Sequence, residues 1–70
     1  MRLTWEWMRN GVYHGFADGE CLAQVEIVIG TSGTREGWLV WLPHQQSEPL
    51  GQYPSLEEGQ NAAEAAFGFL

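Results

Sequence analysis

Residues 4–29 read TWEWMRNGVYHGFADGECLAQVEIVI, a stretch in which two turn signals separate three runs of strand-forming residues. Asn10-Gly11 and Asp18-Gly19 are dipeptides that favour type I′ hairpin loops, because both central residues of such a loop need a positive φ. Two tight hairpins also fix which residues lie opposite each other, and opposite residues share a face of the sheet. The stretch therefore predicts a three-stranded antiparallel meander with a defined register.

This register pairs Arg9 with Val12 in the first hairpin and Ala17 with Glu20 in the second. Counting outward from these pairs separates an inner, apolar face from an outer face that carries the acids. The predicted inner face consists of Leu3, Trp5, Trp7, Val12, His14, Phe16, Cys21, Ala23, Val25, Ile27 and Ile29. The predicted outer face consists of Thr4, Glu6, Met8, Tyr13, Gly15, Ala17, Glu20, Leu22, Gln24, Glu26 and Val28.

The segment after the meander contains one further strand signal. Residues 30–37 are rich in Gly, Ser and Thr and predict an exposed loop, and a fourth strand follows at Trp38–Leu42, ended by Pro43. Every position of this strand is apolar, so periodicity does not indicate which side chains face inward. Residues 44–54 predict a polar connector.

The last segment has the features of a helix. Ser55 precedes Leu56 and two glutamates, which predicts an N-cap at Ser55 with Glu58 in a capping box. Small residues such as Gly59 and Ala63 would let the helix lie close to the sheet, with Glu57, Asn61 and Glu64 on the opposite side. The order predicts an α+β fold over residues 1–70 as a single domain: a four-stranded antiparallel β-meander with one C-terminal helix packed on one face (ββββα).

The charge balance restricts the kind of partner. The chain has no lysine, three arginines and nine acidic residues, for a formal net charge of −6. Binding to a phosphate backbone needs clustered cations, so direct nucleic-acid binding is disfavoured, and a charge-steered partner should be basic. The alternative is that the acids only maintain solubility.

Chemistry-bearing residues are few. His14, Cys21 and His44 have no zinc-site spacing, and no cofactor or metal is expected. His14 and Cys21 fall near each other on the predicted inner face, where apolar burial disfavours a reactive thiolate, so we expect no enzyme. The lone cysteine favours a reducing cytoplasm, no export signal is visible, and the apolar run 38–43 is too short to span a membrane.

The predicted outer face, which mixes acids with aromatic and aliphatic side chains, is typical of protein recognition. The acids of the helix and the arginine of the loop after the third strand are further candidates. The predicted partner-binding residues are Glu6, Tyr13, Asp18, Glu20, Glu26, Arg35, Glu57, Glu58 and Glu64.

The tryptophan strand Trp5-x-Trp7, the Gly37-Trp38 strand and the Ser55-Leu-Glu-Glu helix start resemble small bacterial and phage-borne proteins of β-meander-plus-helix form. Such small acidic phage proteins are similar in type to anti-CRISPR proteins. The resemblance implies an inhibitor that occupies a basic nucleic-acid or partner-binding surface of a CRISPR effector subunit. The alternative from the residues is a structural module, a homodimer that pairs through strand 38–42.

Overall fold

A computed structural model describes residues 3–43 and 48–68. Within them an antiparallel sheet has the meander order β1-β2-β3-β4-β5, and one helix packs on it, which confirms the predicted α+β architecture. The elements are β1 (Thr4–Arg9), β2 (Val12–Ala17), β3 (Glu20–Ile29), β4 (Arg35–Trp41), β5 (Gly51–Tyr53) and α1 (Leu56–Ala66).

The sheet contains a fifth strand where a connector was predicted. Gly51–Tyr53 pairs with β4 over Trp38–Val40, and Leu50 N donates to Val40 O at 2.7 Å. The fourth strand also begins three residues earlier than predicted, at Arg35. Strand β4 is therefore internal, and the edges of the sheet are β1 and β5. The prediction of an exposed edge at 38–42 is wrong for residues 38–40, which already have a partner on each side.

The two hairpin loops differ from each other. Asp18 (φ 52°) and Gly19 (φ 79°) both have positive φ, as the predicted type I′ loop requires. In the first loop Gly11 has φ 76°, whereas Asn10 is not in the positive region. The pairing there shifts by one residue, because Trp7 lies opposite Tyr13 and Arg9 opposite Val12, which leaves Met8 as an extra residue. This pattern is typical of a longer loop that ends in a β-bulge.

A second bulge lies on the other side of β2. Gly15 pairs with Ala23 and Phe16 pairs with Cys21, so Leu22 is the extra residue in β3. Each bulge shifts the partners of β2 by one position, and a shift by one residue exchanges the two faces of a strand. Strand β1 therefore keeps its predicted faces, and β3 keeps them from Ala23 onward, whereas the predictions for Leu22 and for most of β2 are wrong.

The face that α1 covers, here called the helix-covered face, holds the core. Tyr13 and Gly15, which were predicted to lie outside, are on this face, and Leu22 and Ala17 also pack against the core. Val12, His14 and Phe16, predicted inside, are on the other side, here called the open face, where Val12 is nevertheless buried at 7% exposure. The buried core cluster is Leu3, Ala23, Val25, Val40, Leu42 and Ala63.

The helix is positioned by its cap and by a glycine. Ser55 Oγ accepts a hydrogen bond from Glu58 N at 3.1 Å and donates one to Glu58 Oε2 at 3.2 Å, so the predicted N-cap is confirmed. A Cβ atom at Gly59 would lie 3.3 Å from Val25 Cγ1 and 3.4 Å from Val40 Cγ2. This close approach explains a glycine that costs about 1 kcal/mol of helix propensity relative to alanine. No helix among the described residues has the length and hydropathy of a membrane span.

Candidate protein-binding surfaces

The open face presents two cross-strand rows of side chains. In the first row Glu6 lies opposite His14, which lies opposite Gln24, and Gln24 lies opposite Trp41. In the second row Glu26 has apolar neighbours on both sides, since it pairs with Val12 and with Leu39. No described helix lies on this face.

The side chains of the open face differ in how far they are exposed to solvent. Glu6 is exposed, whereas Glu26, Leu39, Trp41 and Phe16 are half-buried. The strand pairing places Glu26 between Val12 and Leu39, and Trp41 beside Gln24. The open face is therefore a mixed surface of carboxylates and large apolar side chains, and Glu6 and Glu26 are on it as predicted.

His14 and Cys21 do not form a core pair. His14 is half-buried on the open face, with its ring 6.2 Å from that of Phe16 between centroids. Cys21 is half-buried, and its thiol donates to Ala23 O at 3.5 Å. Among the described residues no group of three or more His, Cys, Asp or Glu side chains could hold a metal ion. His44 lies outside the described residues.

The remaining predicted binding residues lie away from this face or at its ends. Asp18 is exposed in the second hairpin loop and Glu20 directly after it, and Glu57 and Glu58 are exposed in the first turn of α1. Arg35 is exposed and is the first residue of β4 rather than part of the preceding loop. The predicted residues thus form several separate groups.

Glu64 does not lie on an exposed side of the helix, and the prediction is wrong here. The residue is completely buried, and its Oε2 accepts a hydrogen bond from Leu3 N at 3.0 Å. A carboxylate enclosed in a core is costly unless hydrogen bonds satisfy it. Glu64 therefore joins the helix to the start of β1 and is a structural residue.

The predicted register also put Tyr13 on the wrong face, and its observed position contributes to a second surface. Its ring packs near Trp38, with centroids 6.1 Å apart and planes inclined by 56°. Together they line an open cleft of about 690 Å³ on the helix-covered face, next to Leu56 at the start of α1. The lining residues are Trp7, Asn10, Gly11, Tyr13, Ile27, Ile29, Arg35, Trp38 and Leu56.

This aromatic cleft, as we call it from here on, exposes large apolar side chains. Trp7 is 60% exposed and Ile29 is 53% exposed. Arg35 is the cation of the lining, and within the described residues its guanidinium has no hydrogen-bond or ion-pair partner. Sequence reasoning missed the cleft because the predicted register put Tyr13 on the other side of the sheet from Trp7.

Comparison of the chain with protein-family models, with curated proteins and with solved structures gives no significant match.

Proposed function

We propose that the protein is a non-enzymatic binding protein whose open face occupies a basic surface of another protein. The observation that carries the proposal is the position of Glu6 and Glu26 on a sheet face that also holds Leu39, Trp41 and Phe16. Apolar side chains supply area that leaves water on association, and carboxylates between them select a partner with arginines or lysines.

The overall charge supports a basic partner. With a net charge of −6, the protein attracts positively charged surfaces over a distance and repels acidic ones. In its narrower form the proposal makes the partner a nucleic-acid-binding subunit, such as one from a CRISPR effector in the cytoplasm. The protein would then inhibit by filling the site and cancelling its positive potential, as expected of an anti-CRISPR-like protein.

Two charge-reversal variants with equal charge change test the proposal. One carries Glu6→Lys and Glu26→Lys on the open face, and the control carries Glu57→Lys and Glu58→Lys at the start of α1. Each bait captures partners from the native cytoplasm at low and at high salt, and circular dichroism verifies that both variants fold. We expect capture by the unmodified protein to fall with salt and the open-face variant alone to lose its partner.

The other outcomes would contradict the proposal in different ways. Loss only in the helix variant would move the contact to the first turn of α1. Capture that is unchanged by salt and by both variants would eliminate charge recognition. Sedimentation of the unmodified protein tests the alternative of a homodimer. A dimer that the open-face variant abolishes would mean that the open face, and not strand 38–42, pairs with a copy of itself.

A further inference from the structure

We propose that the aromatic cleft is a second binding site, and that it takes an extended, proline-rich peptide segment carrying an acidic residue. The site lies on the opposite side of the sheet from Glu6 and Glu26, so the inference is independent of the proposed function. Three aromatic side chains, Trp7, Tyr13 and Trp38, and one arginine define its chemistry.

The charge of the ligand follows from Arg35. The protein has nine acidic residues, yet no described carboxylate lies within ion-pair distance of this guanidinium. Arg35 presents donors in a fixed fork that matches a carboxylate, and the cation has apolar neighbours such as Ile29 in the cleft lining. In a strongly acidic protein, Arg35 makes this end of the cleft favourable for an anionic group.

The backbone of the ligand follows from the hydrogen-bonding groups available. The cleft lies on a face of the sheet and not along its edge, so a chain bound in the cleft does not extend the β-ladder. The indole N–H of Trp7 and of Trp38 has no partner within the described residues, and Trp7 is 60% exposed while Trp38 is half-buried. Indole and guanidinium groups only donate hydrogen bonds.

A cleft whose indole and guanidinium groups only donate hydrogen bonds favours a ligand that offers mostly hydrogen-bond acceptors. Proline contributes a carbonyl without an N–H, and a polyproline II segment leaves all of its carbonyls open to outside donors. Aromatic-lined grooves dock such segments because the helix is formed before binding. A helical peptide would keep its carbonyls for itself and leave the indole donors unused.

The size of the cleft matches a short segment. Its lining runs from Trp7 in β1 to Trp38 in β4, three strand spacings or about 14 Å. A polyproline II segment of about five residues has this length at 3.1 Å per residue. The acidic residue would lie at the end near Arg35.

The test uses three synthetic peptides of equal length in an NMR titration. The first is a run of prolines that ends in a pair of glutamates, the second ends in lysines, and the third replaces the prolines with alanines but keeps the glutamates. We expect the proline–glutamate peptide to bind most tightly and to shift the indole signals of Trp7 and Trp38. Trp41, on the open face, is the internal control and should not move.

Matched variants locate the contact. Arg35→Gln should weaken the proline–glutamate peptide about tenfold, because it removes a charge-assisted hydrogen bond. Arg9→Gln has the same charge change at an arginine that does not line the cleft, and it should leave affinity unchanged. Trp7→Ala should weaken the glutamate and lysine peptides alike, and its 60% exposure keeps the effect on folding small.

Five results would overturn the proposal. Three concern affinity: equal binding of the glutamate and lysine peptides, equal loss from the two arginine variants, and equal or tighter binding of the alanine peptide. The other two are indole shifts confined to Trp41 and absence of binding by the unmodified protein at millimolar peptide. None of these results bears on capture of a basic partner through Glu6 and Glu26.

Discussion

The two faces of the sheet are made from alternating residues of the same strands, yet they differ in how completely they bury their apolar side chains. The helix-covered face buries branched residues, such as Val25 and Val40, under a helix that approaches them closely at Gly59. The open face keeps larger side chains, such as Trp41 and Leu39, only half-buried and places carboxylates among them. One face therefore supplies stability, and the other leaves its apolar area available for a partner.

The largest expected difference between the faces is in the stability lost when a leucine in or next to β4 is truncated to alanine. Leu42 is 1% exposed in the core cluster, whereas Leu39 is half-buried on the open face. We expect Leu42→Ala to lower the free energy of unfolding by about 2–5 kcal/mol, through lost burial and a residual cavity. Leu39→Ala should cost at most about 1 kcal/mol. Urea denaturation measures both, and equal losses would mean that the open face is enclosed after all.

The next largest loss of stability is expected at Gly15, and it tests which face each residue of β2 occupies. The sequence-based register and the structure disagree on this point. A Cβ atom at Gly15 would lie 3.0 Å from Trp5 ring atoms and 3.0 Å from Leu3 Cδ1. Gly15→Val should therefore destabilise the protein by about 3 kcal/mol through overpacking. His14→Val, one residue away on the open face, should change stability by less than about 0.5 kcal/mol. The reverse order would support the register without bulges.

This disagreement shows what the local sequence could predict. The second hairpin loop was predictable because Asp18-Gly19 sets its own backbone angles, and the start of α1 was predictable because Ser55 and Glu58 are neighbours in sequence. The extra residues Met8 and Leu22 have no comparable signal, since a bulge is selected by how the whole strand packs. Gly15, which lies opposite Trp5, was the one residue of β2 that indicated that its inner and outer faces are exchanged relative to the predicted register.

The fifth strand and the aromatic cleft were missed for related reasons. Gly51–Tyr53 is three residues long between prolines, too short for a periodic pattern, and it forms because β4 offers an unpaired edge. The cleft needs Trp7, Tyr13 and Trp38 on one face, which the predicted register did not allow. Open-face acids were predictable at Glu6 and Glu26 because β1, and β3 from Ala23 onward, keep their predicted faces.

A smaller effect is expected at Glu64, the charged residue that the helix-covered face encloses. Glu64→Ala leaves Leu3 N without its acceptor, and we expect a loss of about 2 kcal/mol in the free energy of unfolding. Glu64→Gln keeps a side-chain oxygen in reach of Leu3 N and should lose less. Thermal and urea unfolding compare the two variants. Equal losses would assign the role of Glu64 to its negative charge instead of to this hydrogen bond.

The smallest change in stability is expected on the open face, at the acids that we propose to bind a partner. Glu6→Gln and Glu26→Gln remove charge with little change in shape, and each should alter the free energy of unfolding by less than about 0.5 kcal/mol, as surface substitutions usually do. The same variants should weaken capture of a basic partner at low salt, because recognition depends on the charge that folding does not use. If either variant destabilised the protein as much as Glu64→Ala, its carboxylate would be part of the fold, and the contrast between the two faces would fail at that residue.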